Sequence, residues 1–213
     1  MTLLHEAGAR PLKWGRIGLH LGGGLLAAEL LLRETLPLTW REFTYTFALL
    51  VVGVDLIRFT VPDLNRRVID HLGWFAQSHE SKRITSASWF WIAMSVIATV
   101  SEREFYLATL VTLSVGDPAG SIIGRKIRSP VLIHGRTVAG TSAFFLCSSA
   151  MSAFTLLRVG HSPSDLGVLG LVAAASGLGA LLELYASRID DNLAIGLGVG
   201  LFYTLAGPSL LTI

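Results

Sequence analysis

A run of the chain at residues 104–124 reads EFYLATLVTLSVGDPAGSIIG. After its first residue it contains a single charged side chain, Asp117. A helix that crosses the hydrocarbon core of a bilayer needs about 20 mainly apolar residues, and this run supplies them. Similar runs lie on both sides of it, so the sequence predicts a polytopic membrane protein.

The predicted membrane spans number about seven and leave little of the chain between them. They lie near residues 17–36, 43–61, 85–100, 104–124, 138–157, 165–185 and 193–212. With short loops they nearly fill the 213 residues, of which 52% are hydrophobic and only 15% charged. We therefore expect an all-α bundle of about seven transmembrane helices, with residues 1–213 forming a single transmembrane catalytic domain.

Charge and cysteine content exclude some classes of function. A net charge of +2 without a long block of Lys and Arg argues against nucleic-acid binding. The single cysteine, Cys147, excludes a disulfide framework and a Cys-rich metal site. The oligomeric state has no signature in the sequence.

The distribution of Lys and Arg predicts the orientation in the membrane, because cytoplasmic loops are enriched in these residues. With the N-terminus inside, twelve lie in cytoplasmic segments and four on the other side. The twelve are Arg10, Lys13, Arg16, Arg66, Arg67, Lys82, Arg83, Arg125, Lys126, Arg128, Arg136 and Arg188. We expect a cytoplasmic N-terminus, a C-terminus on the opposite side, and polar side chains that face the cytoplasm.

Polar residues gather near the predicted inner ends of the spans, where ionisable groups are costly and usually functional. They are His20, Asp55, Arg58, Asp117, Glu183, Asp190, Asp191 and Asn192. Carboxylates hold Mg²⁺, which also bridges phosphate oxygens, and arginine grips phosphate bidentately. This combination predicts a site for a metal–polyphosphate complex.

The segment from Ser114 to Gly124 is the strongest local signal. Asp117 is followed by Pro118, which we expect to break the helix, and glycines allow close backbone approach. Broken backbone at membrane depth is tolerated where it lines a polar cavity. A proline kink packed against a neighbouring helix is the alternative.

The remaining segments each allow a structural interpretation beside the functional one. Arg136 and Thr137 precede the fifth span, where free N–H groups would bind phosphate, but Thr137 could instead cap the helix. The run of Asp190, Asp191 and Asn192 could also be a helix cap. Asp55 and Arg58 could form a structural ion pair, and His20 could be a structural histidine.

Together these segments resemble the CTP-dependent lipid-alcohol kinases, which include dolichol kinase, phytol kinase and the yeast-type diacylglycerol kinase. Phosphatidate cytidylyltransferase is a more distant relative of that family. The matching positions cover almost the whole chain. They are Lys13, Arg16, His20, Asp55, Arg58, Pro62, Asn65, Arg66, Glu80, Arg83, Gly116-Asp117-Pro118, Ser121, Gly124, Gly135-Arg136-Thr137, Gly140-Thr141, Glu183 and Asp190-Asp191-Asn192.

The resemblance implies transfer of the γ-phosphate of CTP, with Mg²⁺, to the hydroxyl of a lipid alcohol in the bilayer. The acceptor would be a polyprenol, dolichol, phytol-like alcohol or diacylglycerol. The metal would bind Asp117, Asp190 and Asp191. The nucleotide would bind Ser121, Arg125, Lys126, Arg136, Thr137 and Asn192. Asp117 and Glu183 are both candidates for the general base, and His20, Asp55 and Arg58 would support the site.

Two departures from the family pattern leave the choice between CTP and ATP open. Arg136 stands where Lys is common, and Ala139 stands where Glu is frequent. Two other functions also remain. A cytidylyltransferase would use the same nucleotide at its α-phosphate. A membrane transporter or scaffold would catalyse no reaction, and its charged residues would be spread through the centre of the bundle.

Overall fold

The structure is a computed structural model that describes residues 14–71, 83–162, 164–186 and 189–211. Within these residues it is all-helical, and the one β-type pairing is an isolated bridge between Val131 and Thr137. The helices are α1 (Trp14–Gly18), a π-helical turn (Leu19–Gly23), α2 (Gly24–Leu32), α3 (Trp40–Thr60), α4 (Pro62–His71), α5 (Ser86–Val100), α6 (Arg103–Lys126), α7 (Val138–Arg158), α8 (Leu166–Tyr185) and α9 (Asp191–Leu210).

Five of the seven predicted spans are helices long and apolar enough to cross a membrane, namely α3, α6, α7, α8 and α9. The other two predicted spans correspond to shorter apolar helices, Leu19–Leu32 and Ser86–Val100. The short helix α4 was not predicted, because its sequence PDLNRRVIDH is polar and lacks the length of a span. The all-helical membrane class is therefore supported, with five candidate spans.

Helix α6 is the centre of the bundle and packs against α2, α5, α7, α8 and α9. Its first half, from Phe105 to Ser114, is completely buried. The predicted break at Pro118 is wrong, since α6 continues as one helix of 24 residues. Proline removes one backbone hydrogen bond, and the turns on either side are held by tight packing against the neighbouring helix α7.

The outer surface of the bundle is strongly apolar, as expected of helices that face lipid. In α3, only 22% of the most apolar window is buried inside the protein. Leu49, Leu166 and Leu205 are each at least 75% exposed. Contiguous apolar surface of this extent is rare on soluble monomers, which agrees with a membrane environment.

The long helices alternate in direction, so the bundle has two polar ends. One end, called the basic end here, contains the last turns of α3, α6 and α8 and the first turns of α5, α7 and α9. It also carries the basic segments 58–67 and 125–136. The opposite end contains ion pairs of Arg33 with Glu29 and of Arg103 with Glu34, and a hydrogen bond between His161 and Glu104.

Candidate functional site

The basic end contains a cluster of four charged residues that come from four parts of the chain. Arg136 donates from Nη1 to Oε1 of Glu183 at 2.7 Å and from Nη2 to Oδ2 of Asp191 at 3.0 Å. Asp117 lies close enough to act electrostatically on both Arg136 and Glu183. We call Asp117, Arg136, Glu183 and Asp191 the Arg136 cluster. The sequence predicted all four as site residues, and the structure brings them together.

The local structure explains how each member reaches the cluster. Arg136 ends the loop before α7, Glu183 lies in the last turn of α8, and Asp191 begins α9. Asp117 lies on α6, one turn before Gly120. A Cβ atom at Gly120 would lie 3.3 Å from Oε1 of Glu183 and 3.2 Å from the carbonyl oxygen of Gly140. The glycine therefore allows the Glu183 carboxylate to sit against the backbone of α6.

The electrostatics of the cluster are dominated by its acids. Burial disfavours the charged guanidinium, yet the carboxylates of Glu183, Asp191 and Asp117 raise the pKa of Arg136 above its ordinary value. Glu183 is almost fully buried, and its Oε2 atom has no hydrogen-bond partner among the described residues. Three carboxylates act on one guanidinium, so the cluster could accommodate a further cation electrostatically.

The start of α7 differs from the phosphate site that the sequence predicted. The N–H of Val138 donates to the Pro130 carbonyl, that of Ala139 to Oγ of Ser129, and that of Gly140 to Oγ1 of Thr137. The expectation of free N–H donors at this helix end is therefore wrong. Thr137 caps α7, and its hydroxyl also donates to the Gly124 carbonyl. These contacts agree with the other interpretation of the sequence, in which Thr137 is the cap of the helix.

Asp190 and Asn192 both contact Ser86, whereas Asp190 and Asp191 both accept from the N–H of Asn192. Oδ2 of Asp190 accepts from the Ser86 hydroxyl at 2.8 Å, and its Oδ1 caps the N–H of Asn192. The Asn192 amide donates to the Ser86 carbonyl at 3.0 Å. Asp190 and Asn192 thus join α9 to the start of α5, whereas Asp191 reaches Arg136. The three-residue run serves as a cap and as part of the Arg136 cluster.

Asp55 and Arg58 form a buried ion pair of 2.6 Å that links α3 to its neighbours. The second oxygen of Asp55 accepts from the N–H and hydroxyl of Thr85 and from the Ser88 hydroxyl, at 2.7–2.8 Å. Arg58 also donates to Oδ1 of Asn65 and to the Arg83 carbonyl. These contacts fix the beginning of α5, where Ser86 in turn contacts Asp190 and Asn192 at the start of α9.

The other predicted site residues lie around the cluster at the basic end. His20 is buried and its ring packs edge-on against Phe90 on α5. Ser121 is partly buried on α6. Arg125 and Lys126 are exposed at the end of that helix, and the Lys126 ammonium lies 6.0 Å from the Trp14 ring centroid.

The sequence missed Ser86, which bonds both Asp190 and Asn192, because a serine at the start of an apolar helix looks like an ordinary cap. The side chains that the structure describes do not form a site for a permanently bound metal ion. Within the described ranges, no three side chains of His, Cys, Asp or Glu converge as metal ligands. Mg²⁺ held mainly by nucleotide phosphates needs only one or two carboxylates, and Asp117 and Asp191 fit that requirement. The predicted third ligand, Asp190, faces α5.

Comparison of the chain with protein-family models, with curated proteins and with solved structures gives no match. The class that fold and site define is an all-helical protein with five candidate membrane-spanning helices and a charged cluster at its basic end.

Proposed function

We propose that the protein is a membrane phosphotransferase that transfers the γ-phosphate of CTP to the hydroxyl of a lipid alcohol, with the cluster facing the cytoplasm. The observation that carries the proposal is the Arg136 cluster, in which one arginine bridges two acids beside a third. Arginine is the residue best suited to grip phosphate, and the acids suit the Mg²⁺ that accompanies a nucleoside triphosphate.

The charge balance of the cluster supports a cationic partner. With all members ionised, three carboxylates and one guanidinium leave an excess of negative charge at a partly buried place. Like-charged carboxylates this close need a cation, or one of them takes up a proton. Bound Mg²⁺ would supply that cation and neutralise charge on the transferred phosphoryl group.

The surroundings of the cluster support an anionic nucleotide rather than a metal alone. Arg125, Lys126 and Arg128 are exposed on the segment that leads from α6 towards Arg136. Their charges would attract the triphosphate and hold its outer oxygens. We assign phosphate contacts to these side chains and to Arg136, since the first N–H groups of α7 are already bonded.

In the proposed reaction the lipid hydroxyl oxygen forms a bond to the γ-phosphorus, and the bond from that phosphorus to the β–γ bridging oxygen breaks. CDP leaves with the bridging oxygen, and the hydroxyl proton passes to a carboxylate. Asp117 and Glu183 are the two candidates for this base. Among the described residues, Oε2 of Glu183 is buried and has no hydrogen-bond partner, while Asp117 is slightly more exposed.

The acceptor would reach the cluster from the bilayer. Asp117 lies within a helix whose apolar part is long enough to span a membrane, and Glu183 lies at the end of another. A hydroxyl at the level of the lipid headgroups can therefore approach without its apolar chain leaving the bilayer. The transporter alternative is disfavoured, because the charged side chains of the described helices lie towards the two ends of the bundle.

The test is a substrate screen with the purified protein in lipid nanodiscs. CTP and ATP are each supplied with Mg²⁺ and with a polyprenol, phytol or diacylglycerol, and lipid phosphates are measured by mass spectrometry. We expect one lipid phosphate to form with CTP and to disappear when EDTA is added. Absence of every lipid phosphate, from protein whose helical content is intact, would reject the proposal.

A further inference from the structure

The segment between α6 and α7 folds into a small hairpin, defined here as residues 130–138. The N–H of Leu132 donates to the Arg136 carbonyl at 2.7 Å, and Val138 donates to the Pro130 carbonyl at 3.0 Å. The chain reverses at His134 and Gly135, whose φ values are 54° and 79°. Gly135 tolerates this left-handed conformation because it lacks a Cβ atom.

Three consecutive aliphatic residues, 131–133, lie on the arm of the hairpin that leads into this reversal; all three are exposed, and we call them the apolar tip. The exposed fractions are 58% for Val131, 43% for Leu132 and 38% for Ile133. Ile127, just before the hairpin, is exposed as well. These three adjacent aliphatic side chains lie on a loop outside the helices, and each keeps at least 38% of its surface exposed. We expect such an apolar surface to be covered by another protein or by a lipid bilayer.

The charges beside the apolar tip favour an anionic lipid bilayer as the covering surface. Arg125, Lys126 and Arg128 are exposed immediately before the hairpin, and no acid lies between residues 118 and 164. Basic residues close to a bilayer are attracted by anionic headgroups. Aliphatic side chains flanked by cations are the pattern of an interfacial membrane anchor.

Four backbone N–H groups in and beside the hairpin are already hydrogen-bonded. Unbonded N–H groups are costly where water is scarce. The N–H groups of Leu132, Arg136, Val138 and Ala139 are all bonded within the hairpin or to Ser129 beside it. Insertion of the tip would therefore leave these donors satisfied.

We propose that the apolar tip inserts into the headgroup region of a bilayer containing anionic lipid and anchors the basic end there. The proposal goes beyond the phosphotransfer reaction and does not depend on it. Because Arg136 lies at the base of the same hairpin, the anchor would set the height of the Arg136 cluster relative to the headgroups. Interfacial segments of this kind enter by about 5–10 Å.

The test uses a nitroxide spin label at the tip of the full-length protein in nanodiscs. Cys147→Ser removes the native thiol, Ile133→Cys accepts the label, and Ser162→Cys at the opposite end is the control. Collision of the label with oxygen, which prefers lipid, is compared with collision with a water-soluble nickel chelate. Nanodiscs of phosphatidylcholine alone are compared with nanodiscs that also contain phosphatidylglycerol.

We expect the Ile133 label to collide preferentially with oxygen, and more so when phosphatidylglycerol is present. The Ser162 label should collide preferentially with the nickel chelate in both lipids. Equal, water-like behaviour of the two labels would overturn the proposal. Shielding of the Ile133 label from both reagents would also overturn it, because a protein partner would then cover the tip. Equal insertion in both lipids would overturn the role of anionic headgroups.

Discussion

Arg136 and Glu183 are 47 residues apart in sequence, and they are joined by a hydrogen-bonded ion pair of 2.7 Å at the basic end of the bundle. The pair connects the loop before α7 to the last turn of α8. Its arginine uses a second nitrogen for Asp191, so one guanidinium fixes the relative positions of two helix ends. The predictions below follow from this arrangement.

Asp117→Asn keeps the size of the side chain and removes its charge. If Asp117 stabilises the metal–triphosphate complex or takes the acceptor proton, turnover should fall by at least ~100-fold. The rate is measured as lipid phosphate formed at saturating CTP. Asp63→Asn, at an exposed acid on α4, is the matched control and should retain activity. A folded Asp117→Asn protein with near-normal turnover would remove Asp117 from the reaction.

Glu183→Gln distinguishes the two candidate bases. Glutamine can still accept the Arg136 hydrogen bond through its oxygen but cannot take a proton. If Glu183 is the base, turnover at saturating substrates should fall by at least ~100-fold. If it only positions Arg136, the change should appear mainly in the KM for CTP. Comparison of kcat and KM for the Glu183→Gln and Asp117→Asn proteins assigns the base to one residue.

Arg136→Lys tests the two-pronged contact of the guanidinium. A lysine ammonium cannot reproduce the fork that reaches Glu183 and Asp191 together. Loss of one charge-assisted contact should raise the KM for Mg–CTP by about 10- to 100-fold. Arg33→Lys, at an exposed arginine of the opposite end, is the control. Equal KM values in the two variants would contradict a specific role for Arg136.

Asp191→Asn and Asp190→Asn form a matched pair of neighbouring acids. Asn at position 190 can still accept from Ser86 and cap α9, because Asn is as good a cap as Asp. Asp191→Asn removes a charge from the Arg136 cluster. We expect the magnesium concentration needed for half-maximal activity to rise clearly more for Asp191→Asn. A larger effect at Asp190 would instead favour the ligand set predicted from the sequence.

Arg58→Ala should destabilise the protein strongly, because it leaves Asp55 buried without its ion-pair partner. Breaking a buried ion pair from one side costs about 3–5 kcal/mol. Thermal unfolding in detergent, followed by circular dichroism, measures the change. Arg33→Ala breaks an exposed ion pair with Glu29 at the opposite end and should hardly alter the Tm. Similar Tm shifts in the two variants would contradict the structural role of Arg58.

The helix positions could be predicted because long apolar runs have few alternatives. The seven predicted runs all coincide with helices, although only five of these are long enough to count as candidate spans. The break at Pro118 was wrong because tertiary packing keeps α6 continuous. Helix α4 was missed because its sequence is polar and, at 10 residues, too short for a membrane span.

The candidate site was only partly predictable, since contacts at helix ends depend on side-chain direction. Asp190 is the N-cap of α9 and Asp191 is its first helical residue, so their side chains leave the backbone in different directions and make different contacts. The sequence predicted both as metal ligands. The sequence also could not show that the hydroxyl oxygens of Ser129 and Thr137 accept hydrogen bonds from the first N–H groups of α7. Such local hydrogen bonds compete with ligand binding and leave little trace in the residue pattern.

The predicted orientation can be tested with single cysteines in the Cys147→Ser background. Ser129→Cys lies on the segment between α6 and α7, and Ser162→Cys lies after α7 at the opposite end. With the basic end in the cytoplasm, a membrane-impermeant maleimide applied outside intact cells should label position 162 only. Labelling of position 129 from outside would place the Arg136 cluster away from cytosolic nucleotide.

The central claim is tested most directly by following two differently labelled forms of CTP through the reaction. Purified protein in nanodiscs that contain both the lipid alcohol and phosphatidate receives Mg²⁺ with either γ-labelled or α-labelled CTP. We predict that the γ-label enters the lipid and that the α-label remains in CDP. Release of the γ-label in pyrophosphate, with the α-label in the lipid, would show a cytidylyltransferase and would contradict the account.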